Sequence, residues 1–488
     1  FLLRESRFPV APALLDEMES CLGRYGLLRL ERIDGVLRLV CDDCEVLQEV
    51  LKFKDVAALV NACSNGAASV VVPEDNRGLV KQALIALEYP VEDLAGYREG
   101  APLSFGLRTK TQDHSPFSVR PYQADATTAF HRDGGPVGGN GVVVLPCGAG
   151  KTIVGMSVME KLQTRTLILT TNQVAVGQWR AELLDKTTLQ PDQVGTYTAE
   201  DKIVCPVTIT TYQMMTWRRS REGPFEHMAL FNEHDWGLII YDEVHLLPAP
   251  VFRATADIQA RRRLGLTATL VREDEKEDEV FCLIGPKRAD IPWKVLESQG
   301  WIASVRCVEV RVPFPDELKR EYAAAPNRRR FRLASENVAK DAAVERLVAE
   351  HENDQILVIG QYLDQLHRLR ERMDVPMICG RTPNEERERL YGDFRERRIS
   401  TLIVSKVGNF AVDLPDANVA IQVSGTYGSR QEEAQRLGRI LRPKEDGSGA
   451  TFYTLVTEDS REGEFAQKRQ RFLTEQGYAY EIRSEGSS

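Results

Sequence analysis

The stretch Leu145–Thr152, LPCGAGKT, carries the most specific chemistry in the chain. It follows the apolar run Gly141–Val144 and precedes a helical pattern over Ile153–Lys161. A short β-branched strand, a glycine-rich turn and a helix, in that order, set the backbone N–H groups of Gly148, Ala149 and Gly150 at a helix N-terminus, where they cradle phosphate oxygens. Pro146 and Cys147 complete the turn. Lys151 then reaches the β- and γ-phosphates of a nucleotide such as ATP, and the Thr152 hydroxyl ligates its Mg2+. The fullest form of this pattern has a glycine at the position of Leu145, which is absent here.

Downstream, Leu238-Ile239-Ile240-Tyr241 runs directly into Asp242-Glu243-Val244-His245. A buried strand ending in adjacent acids holds Asp242 for the Mg2+ shell and leaves Glu243 to orient and deprotonate an attacking water. His245 falls where it can relay the state of the γ-phosphate to its neighbours. A further group lies in Gln431–Arg442, QEEAQRLGRILR. On a helix Gln435, Arg439 and Arg442 share one face, while Leu437, Ile440 and Leu441 sit elsewhere and can anchor it. One amide and two guanidiniums suit the neutralisation of charge on a transferring phosphoryl group. Arginines alone would equally suit a solvated helix face.

These groups need elements to carry them. From Val119 to about Pro286, short apolar runs at Val142–Leu145, Leu167–Thr170, Val207–Thr210, Leu238–Tyr241 and Leu264–Thr267 alternate with helical stretches. That alternation predicts a parallel sheet covered by helices on both faces, with ligands at the carboxyl ends of the strands. A second block, from about Trp301 to Tyr480, repeats the pattern at Ile356–Ile359, Met377–Cys379, Thr401–Val404, Val419–Val423 and Thr451–Leu455 without a phosphate loop. Two sheets of which one has the loop predict an α/β chain whose nucleotide site is completed across a cleft, with Gly285–Gly300 as hinge. Residues 1 to about 112 read as a small α+β module: a hairpin of Leu27–Leu30 and Val36–Val40, a helix over Cys44–Val60 and a strand at Ala68–Val72. Glu99–Pro116, rich in Gly, Pro and Ser, reads as the linker that follows it.

Composition sets bounds on the rest. A chain of 488 residues, 42% hydrophobic and 28% charged, supports two or three domains with cores of their own. No apolar run approaches a membrane span and no secretory signal is visible, although the chain opens on Phe1 and a targeting segment ahead of it stays open. The net charge of −9 argues against a globally basic nucleic-acid binder and leaves room for a local basic track. Nine cysteines without a regular framework point to a reducing compartment. Cys41 and Cys44 have the spacing of half a zinc site, which Cys21 and Cys63 would have to complete; free thiols are the expectation.

Arg120-Pro121-Tyr122-Gln123, the phosphate loop, the DEVH of Asp242–His245, Leu266-Thr267-Ala268-Thr269 and the QRLGRILR of Gln435–Arg442 stand in the order and spacing of superfamily 2 helicases. More narrowly, LTATLVRED at Leu266–Asp274, VSKVGNFAVDLP at Val404–Pro415, the run from Gly428 through Arg442 and KRQRFLTEQGY at Lys468–Tyr478 resemble the XPB (xeroderma pigmentosum group B) helicase family, from about residue 115 to 482. LEYPVEDLAGY at Leu87–Tyr97 is similar to the segment that leads into that family's motor.

The resemblance implies two RecA-like parallel-sheet motor domains, over 113–295 and 296–488, preceded by an N-terminal α+β domain over 1–112 where relatives carry a damage-recognition-like domain. It implies that Arg120 and Gln123 lie by the adenine, that Thr267 and Thr269 couple ATP to DNA, and that Arg272, Glu273 and Asp274 form the R-E-D motif of strand opening. It also implies a basic, flexible thumb over about 313–335. There Lys319, Arg320, Arg328, Arg329, Arg330 and Arg332 face one acid, Glu321, in a patch able to grip a phosphate backbone. The implied activity is that of an ATP-dependent 3′→5′ DNA helicase or double-stranded DNA translocase. Its setting would be nucleotide excision repair or transcription-coupled DNA opening, in a prokaryotic form working in the cytoplasm on the nucleoid. A nuclease or a repair or transcription complex is the implied partner. An RNA helicase fits the motifs less well, and an ATP-gated DNA clamp that activates a partner nuclease remains open beside the motor.

Overall fold

Two seven-stranded sheets, each with every strand parallel to its neighbours, organise the chain, and a small four-stranded sheet precedes them. The structure is a computed structural model that describes residues 23–24, 26–61, 68–73, 76–93, 99–134, 138–146, 148–220, 225–227, 230, 234–246, 260, 262–268, 280–281, 284–405, 417–425 and 449–485.

In the small sheet β1 (Leu28–Ile33) and β2 (Val36–Cys41) form the expected hairpin, with Ile33 opposite Val36. Asp34 (φ 51°) and Gly35 (φ 77°) make the turn; both φ values are positive, as a twist-matched two-residue hairpin requires. The expected helix over Cys44–Val60 is two helices, α1 (Cys44–Leu51) and α2 (Lys54–Ala57), parted by extended Phe53. β3 (Ser69–Val71), α3 (Arg77–Ala86) and β4 (Glu92–Asp93) complete the unit, in the strand order β3-β2-β1-β4. Cys41 is buried and Cys44 half-buried, and among the described residues no cluster of three or more His, Cys, Asp or Glu is placed to hold a metal.

The first large sheet comprises β5 (Asn140–Val144), β6 (Thr166–Thr170), β7 (Val194–Tyr197), β8 (Val207–Thr211), β9 (Leu238–Asp242), β10 (Arg262–Thr267) and β11 (Lys287–Asp290), in the order β11-β5-β10-β9-β6-β8-β7. Its central strands β5, β6 and β9 are apolar without alternation because both faces are covered. Val143, Ile168, Ile240 and Leu264 enter one apolar cluster, while their neighbours Val142, Leu167, Ile239 and Tyr241 enter another on the opposite face. α4 (Pro121–His131), α5 (Lys151–Leu162) and α6 (Gln173–Lys186) are the principal helices.

Residues 99–116, expected as the linker, are bonded to this unit. Leu103 N–H donates to the Gln163 carbonyl at 2.8 Å and Arg108 N–H to the Lys186 carbonyl at 2.8 Å. The reason is local: α5 and α6 end there, and the extended segment supplies donors to carbonyls that lack partners at a helix C-terminus. The expected hinge over Gly285–Gly300 also differs. Its first half is β11, paired with β5, and its second is α7 (Trp293–Ser298), whose Trp293 and Leu296 are fully buried.

The second large sheet has the order β14-β15-β13-β16-β17-β12-β18. Its strands are β12 (Val305–Val312), β13 (Ile356–Gly360), β14 (Met377–Ile378), β15 (Thr401–Ser405), β16 (Val419–Gln422), β17 (Ala450–Thr457) and β18 (Tyr480–Ser484). β12, the first strand of the sheet along the chain, lies between β17 and the last, β18. The helices are α8 (Asp316–Ala324), α9 (Asn327–Ser335), α10 (Ala339–Glu350), α11 (Leu363–Met373), α12 (Asn384–Arg395) and α13 (Arg461–Glu475). One contiguous apolar cluster runs from the first sheet through Trp293, Leu296 and Ile302 to Leu357, Leu402 and Phe452 of the second.

The basic thumb that the resemblance implied forms the two helices α8 and α9. Phe331 is buried on α9 with its ring 5.1 Å from that of Phe465 on α13, which gives the helix an apolar anchor. Its arginines are also engaged: Arg329 pairs with Glu321 at 2.5 Å, and Arg330 donates to the Tyr322 carbonyl at 3.0 Å, closing the C-terminal end of α8. No described helix is long and apolar enough to cross a membrane.

Candidate nucleotide site

The strand order sets the site. β5 and β9 flank β10, and in register Thr267 lies beside Val144 and Leu266 beside Asp242, so the carboxyl ends of three strands stand side by side. The phosphate loop follows β5, the two acids end β9, and Thr267 ends β10. Leu145 N–H donates to the Thr267 carbonyl at 2.9 Å, stitching the start of the loop to β10.

Within the loop Gly148 and Gly150 both have φ of 79°, a left-handed conformation that L side chains rarely adopt. Gly150 is the N-cap of α5, so Lys151 and Thr152 open the first turn of that helix, where unpaired N–H groups and the helix dipole favour anions. A Cβ on Gly150 would lie 2.5 Å from Nε2 of Gln123. Gln123 is itself fixed: its Nε2 donates to the Ala149 carbonyl at 2.9 Å and its Oε1 accepts from Arg120 N–H at 2.9 Å. Arg120 and Gln123 are thereby brought to the phosphate loop.

Lys151 Nζ lies 3.0 Å from Glu243 Oε1, which closes the loop onto the acidic pair. Glu243 has φ of 49°, a left-handed backbone that costs a non-glycine residue ~1–2 kcal/mol and here turns its carboxylate back toward Lys151. Burial alone would raise its pKa, but Lys151, aided by His245, overcomes that and leaves it lowered. Asp242 goes the other way: burial, reinforced by the charge of Glu243, pushes it up to about 6. Trp179 Nε1 donates to Asp242 Oδ2 at 2.8 Å, Glu243 N–H to Oδ1 at 3.0 Å, and the Tyr212 hydroxyl to the Asp242 carbonyl at 2.8 Å. Burial, then the nearby Asp242 charge, keeps Tyr212 protonated as that donor. Two carboxylates thus face one lysine, an excess of negative charge that a divalent cation would neutralise. Glu243 Oε2, buried, makes no hydrogen bond within the described protein.

His245 is buried, with Nδ1 2.5 Å from the Thr267 hydroxyl and 3.5 Å from Glu243 Oε2. Two residues expected to couple ATP to DNA therefore touch each other, and one of them, His245, also lies beside the acid. Cys147, Thr269, Arg272, Glu273, Asp274, Gln435, Arg439 and Arg442 lie outside the described residues, as does the side chain of Arg328. Sequence reasoning missed Tyr122, Trp179 and Tyr212. The only signal for them was an aromatic with a polar tip in an otherwise buried element, since each contact closes across a sequence gap of 27 residues or more.

Residues 296–487 match the family described as ERCC3/RAD25/XPB C-terminal helicase, and residues 116–272 the family described as type III restriction enzyme, res subunit. The "DNA 3'-5' helicase XPB" of Kineococcus radiotolerans is 52% identical over 484 residues, covering 99% of this chain and 84% of that one. The chain belongs to the XPB helicase family. The XPB protein of the same description from Mycobacterium tuberculosis is 51% identical over 99% of this chain and 86% of its own. The Saccharomyces cerevisiae "General transcription and DNA repair factor IIH helicase/translocase subunit XPB/SSL2" is 37% identical over 85% of this chain and 50% of its own. As an XPB-family helicase the chain is an ATP-dependent enzyme, and its two parallel sheets are the RecA-like pair of that fold.

Proposed function

We propose that this XPB-family helicase couples ATP hydrolysis at the carboxyl ends of β5, β9 and β10 to 3′→5′ movement on DNA, and opens or translocates along the duplex during repair or transcription. The observation that carries the reading is the 3.0 Å pair of Lys151 with Glu243, which puts the phosphate-binding lysine and a carboxylate with lowered pKa in one site. Its motor units are 113–295 and 296–488, with 1–112 as a DNA-facing module. It works in the cytoplasm on the nucleoid, beside a nuclease or a repair or transcription complex.

In this reading the N–H groups of Gly148, Ala149 and Gly150 and the Lys151 ammonium bind the phosphates, with Pro146 and Cys147 shaping the turn and Arg120 and Gln123 on the adenine side. Thr152 and Asp242 would hold Mg2+, which supplies neutralising charge to the phosphates. Glu243 orients the attacking water and takes its proton. Gln435, Arg439 and Arg442, delivered by the second unit, neutralise charge on the phosphoryl group as it transfers. His245 and Thr267, already in contact, pass the state of the site toward Thr269 and the Arg272-Glu273-Asp274 motif at the DNA. Arg328 and Arg329 offer charge to the phosphate backbone, while Arg330 holds the corner between α8 and α9.

The test pairs a strand-displacement assay on 3′- and 5′-tailed duplexes with a triplex-displacement assay, both with ATP. Displacement from the 3′ tail alone supports the polarity, and triplex displacement without strand separation makes the protein a translocase. DNA binding without duplex-stimulated turnover would overturn the motor and leave the ATP-gated clamp.

A further inference from the structure

Two side chains from the start of α4 converge on a single carbonyl of the phosphate loop. The Tyr122 hydroxyl donates to the Ala149 oxygen at 2.8 Å and Gln123 Nε2 to the same oxygen at 2.9 Å. That oxygen and the Gly150 N–H belong to one peptide unit. A trans peptide is planar, with its C=O and N–H pointing in opposite directions, so pinning the Ala149 oxygen also aims the Gly150 N–H.

Tyr122 and Arg120 are in turn held from outside the first unit. The Trp301 ring lies 5.9 Å from the Tyr122 ring at an interplanar angle of 60°, and the Arg120 guanidinium carbon stands 4.9 Å from the Trp301 ring centre. Arg120 Nη1 closes the triangle by donating to the Tyr122 hydroxyl at 3.2 Å. Trp301 is presented by α7: Gly300, at φ 72°, ends the helix, and Trp301 N–H turns back to the Leu296 carbonyl at 2.9 Å. The opposite end of α7 is docked on the second unit, where the Trp293 ring meets that of Tyr478 edge-on at 6.5 Å and Lys294 Nζ lies 4.2 Å from the Tyr478 ring centre.

We propose that Trp301 is a positioning residue for nucleotide binding: packed against Tyr122 and Arg120, it sets the Ala149–Gly150 peptide from the segment that joins the two sheets. The inference rests on the reading of residues 145–152 as the ATP phosphate loop. It assigns Trp301 no contact with the nucleotide, so the effect of changing it falls on ATP binding and not on the chemical step. An aromatic pair together with a cation–π contact accounts for a factor of about ten in affinity.

The experiment uses the full chain. A fluorescent ATP analogue is titrated into the parent, Trp301→Ala, Trp301→Phe and Lys151→Ala proteins, and steady-state ATPase is measured on each. Trp301→Ala is expected to raise both Kd and KM about tenfold with kcat within about twofold, and Trp301→Phe to recover most of the loss through its ring. A second readout is tryptophan emission on adding unlabelled ATP. The chain has five tryptophans, and the ATP-induced change is expected to shrink in Trp301→Phe although that protein still binds. An unchanged KM in a folded Trp301→Ala, or an undiminished emission change in Trp301→Phe, overturns the proposal. Should Trp301→Ala not fold, the emission arm decides alone. Failure of the phosphate-loop reading shows separately, as Lys151→Ala binding the analogue like the parent.

Discussion

Replacing Glu243 by Gln keeps the volume of the side chain and removes its charge, which separates two roles the site combines. At 3.0 Å from Lys151 Nζ the carboxylate is attracted by about 5 kcal/mol at an effective dielectric of ~20, most of which desolvation offsets. The net advantage of the pair is of the order of 1 kcal/mol. Freeing Lys151 from it should therefore leave ATP affinity equal to the parent's or up to about fivefold tighter. Hydrolysis should respond in the opposite direction. Loss of a positioned base lowers the rate by about 10²–10⁴, or roughly 3–5 kcal/mol on the barrier. The Glu243 N–H bond to Asp242 Oδ1 involves backbone and survives the change. The assay is equilibrium titration of ATP followed by single-turnover hydrolysis, with Lys151→Ala alongside as the variant that loses binding. A Glu243→Gln protein that hydrolyses ATP at near the parental rate would refute the assignment of the base, and one that no longer binds ATP would refute the picture of a competing ion pair.

Three further outcomes are expected. Gly150→Ala forces a Cβ to 2.5 Å from Gln123 Nε2 and a left-handed alanine, so ATP affinity should fall at least about tenfold; affinity equal to the parent's would mean the loop is not held as described. Lys340 and Glu462 form an ion pair at 2.7 Å with both side chains fully buried. Lys340→Met should destabilise the second unit by ~3–5 kcal/mol in denaturant titration, and Lys340→Met combined with Glu462→Leu should regain most of it. Arg439→Ala or Arg442→Ala should lower turnover about a hundredfold with little change in ATP affinity; an equal loss from Arg436→Ala, on another face of the same helical pattern, would undo the shared-face reasoning.

The strands that sequence reasoning located, such as Leu238–Tyr241 and Ile356–Ile359, are buried on both sides, and burial writes an unbroken apolar run. Those it missed break that run. β11 is Lys-Arg-Ala-Asp at a sheet edge, and β18 is Tyr-Glu-Ile-Arg-Ser with exposed positions. β12 is interior, but Arg306, Glu309 and Arg311 interrupt it; Glu309 is buried because Arg311 and Gln470 satisfy its carboxylate. The loop of residues 145–152 and the acids of β9 could be proposed from sequence because the chemistry assigned to them depends on local spacing. Tyr122, Trp179 and Trp301 could not, because what each does is decided by a partner distant in sequence. The packed thumb and the bonded segment 99–116 escaped for a related reason: Gly, Pro and Arg content reports what a segment can do when solvated, not which helix ends it will cap.

In the second sheet β12 is flanked by β17 and β18, so the strand made first at residues 305–312 waits for one made last at 480–484. On a ribosome, some 170 residues of this unit emerge before that gap is filled. Until then one edge of β12, with Val308 and Val310 on it, offers unpaired backbone groups to any extended neighbour. A chain cut short before residue 480 would keep the phosphate loop and both acids, yet carry a permanently open, adhesive margin.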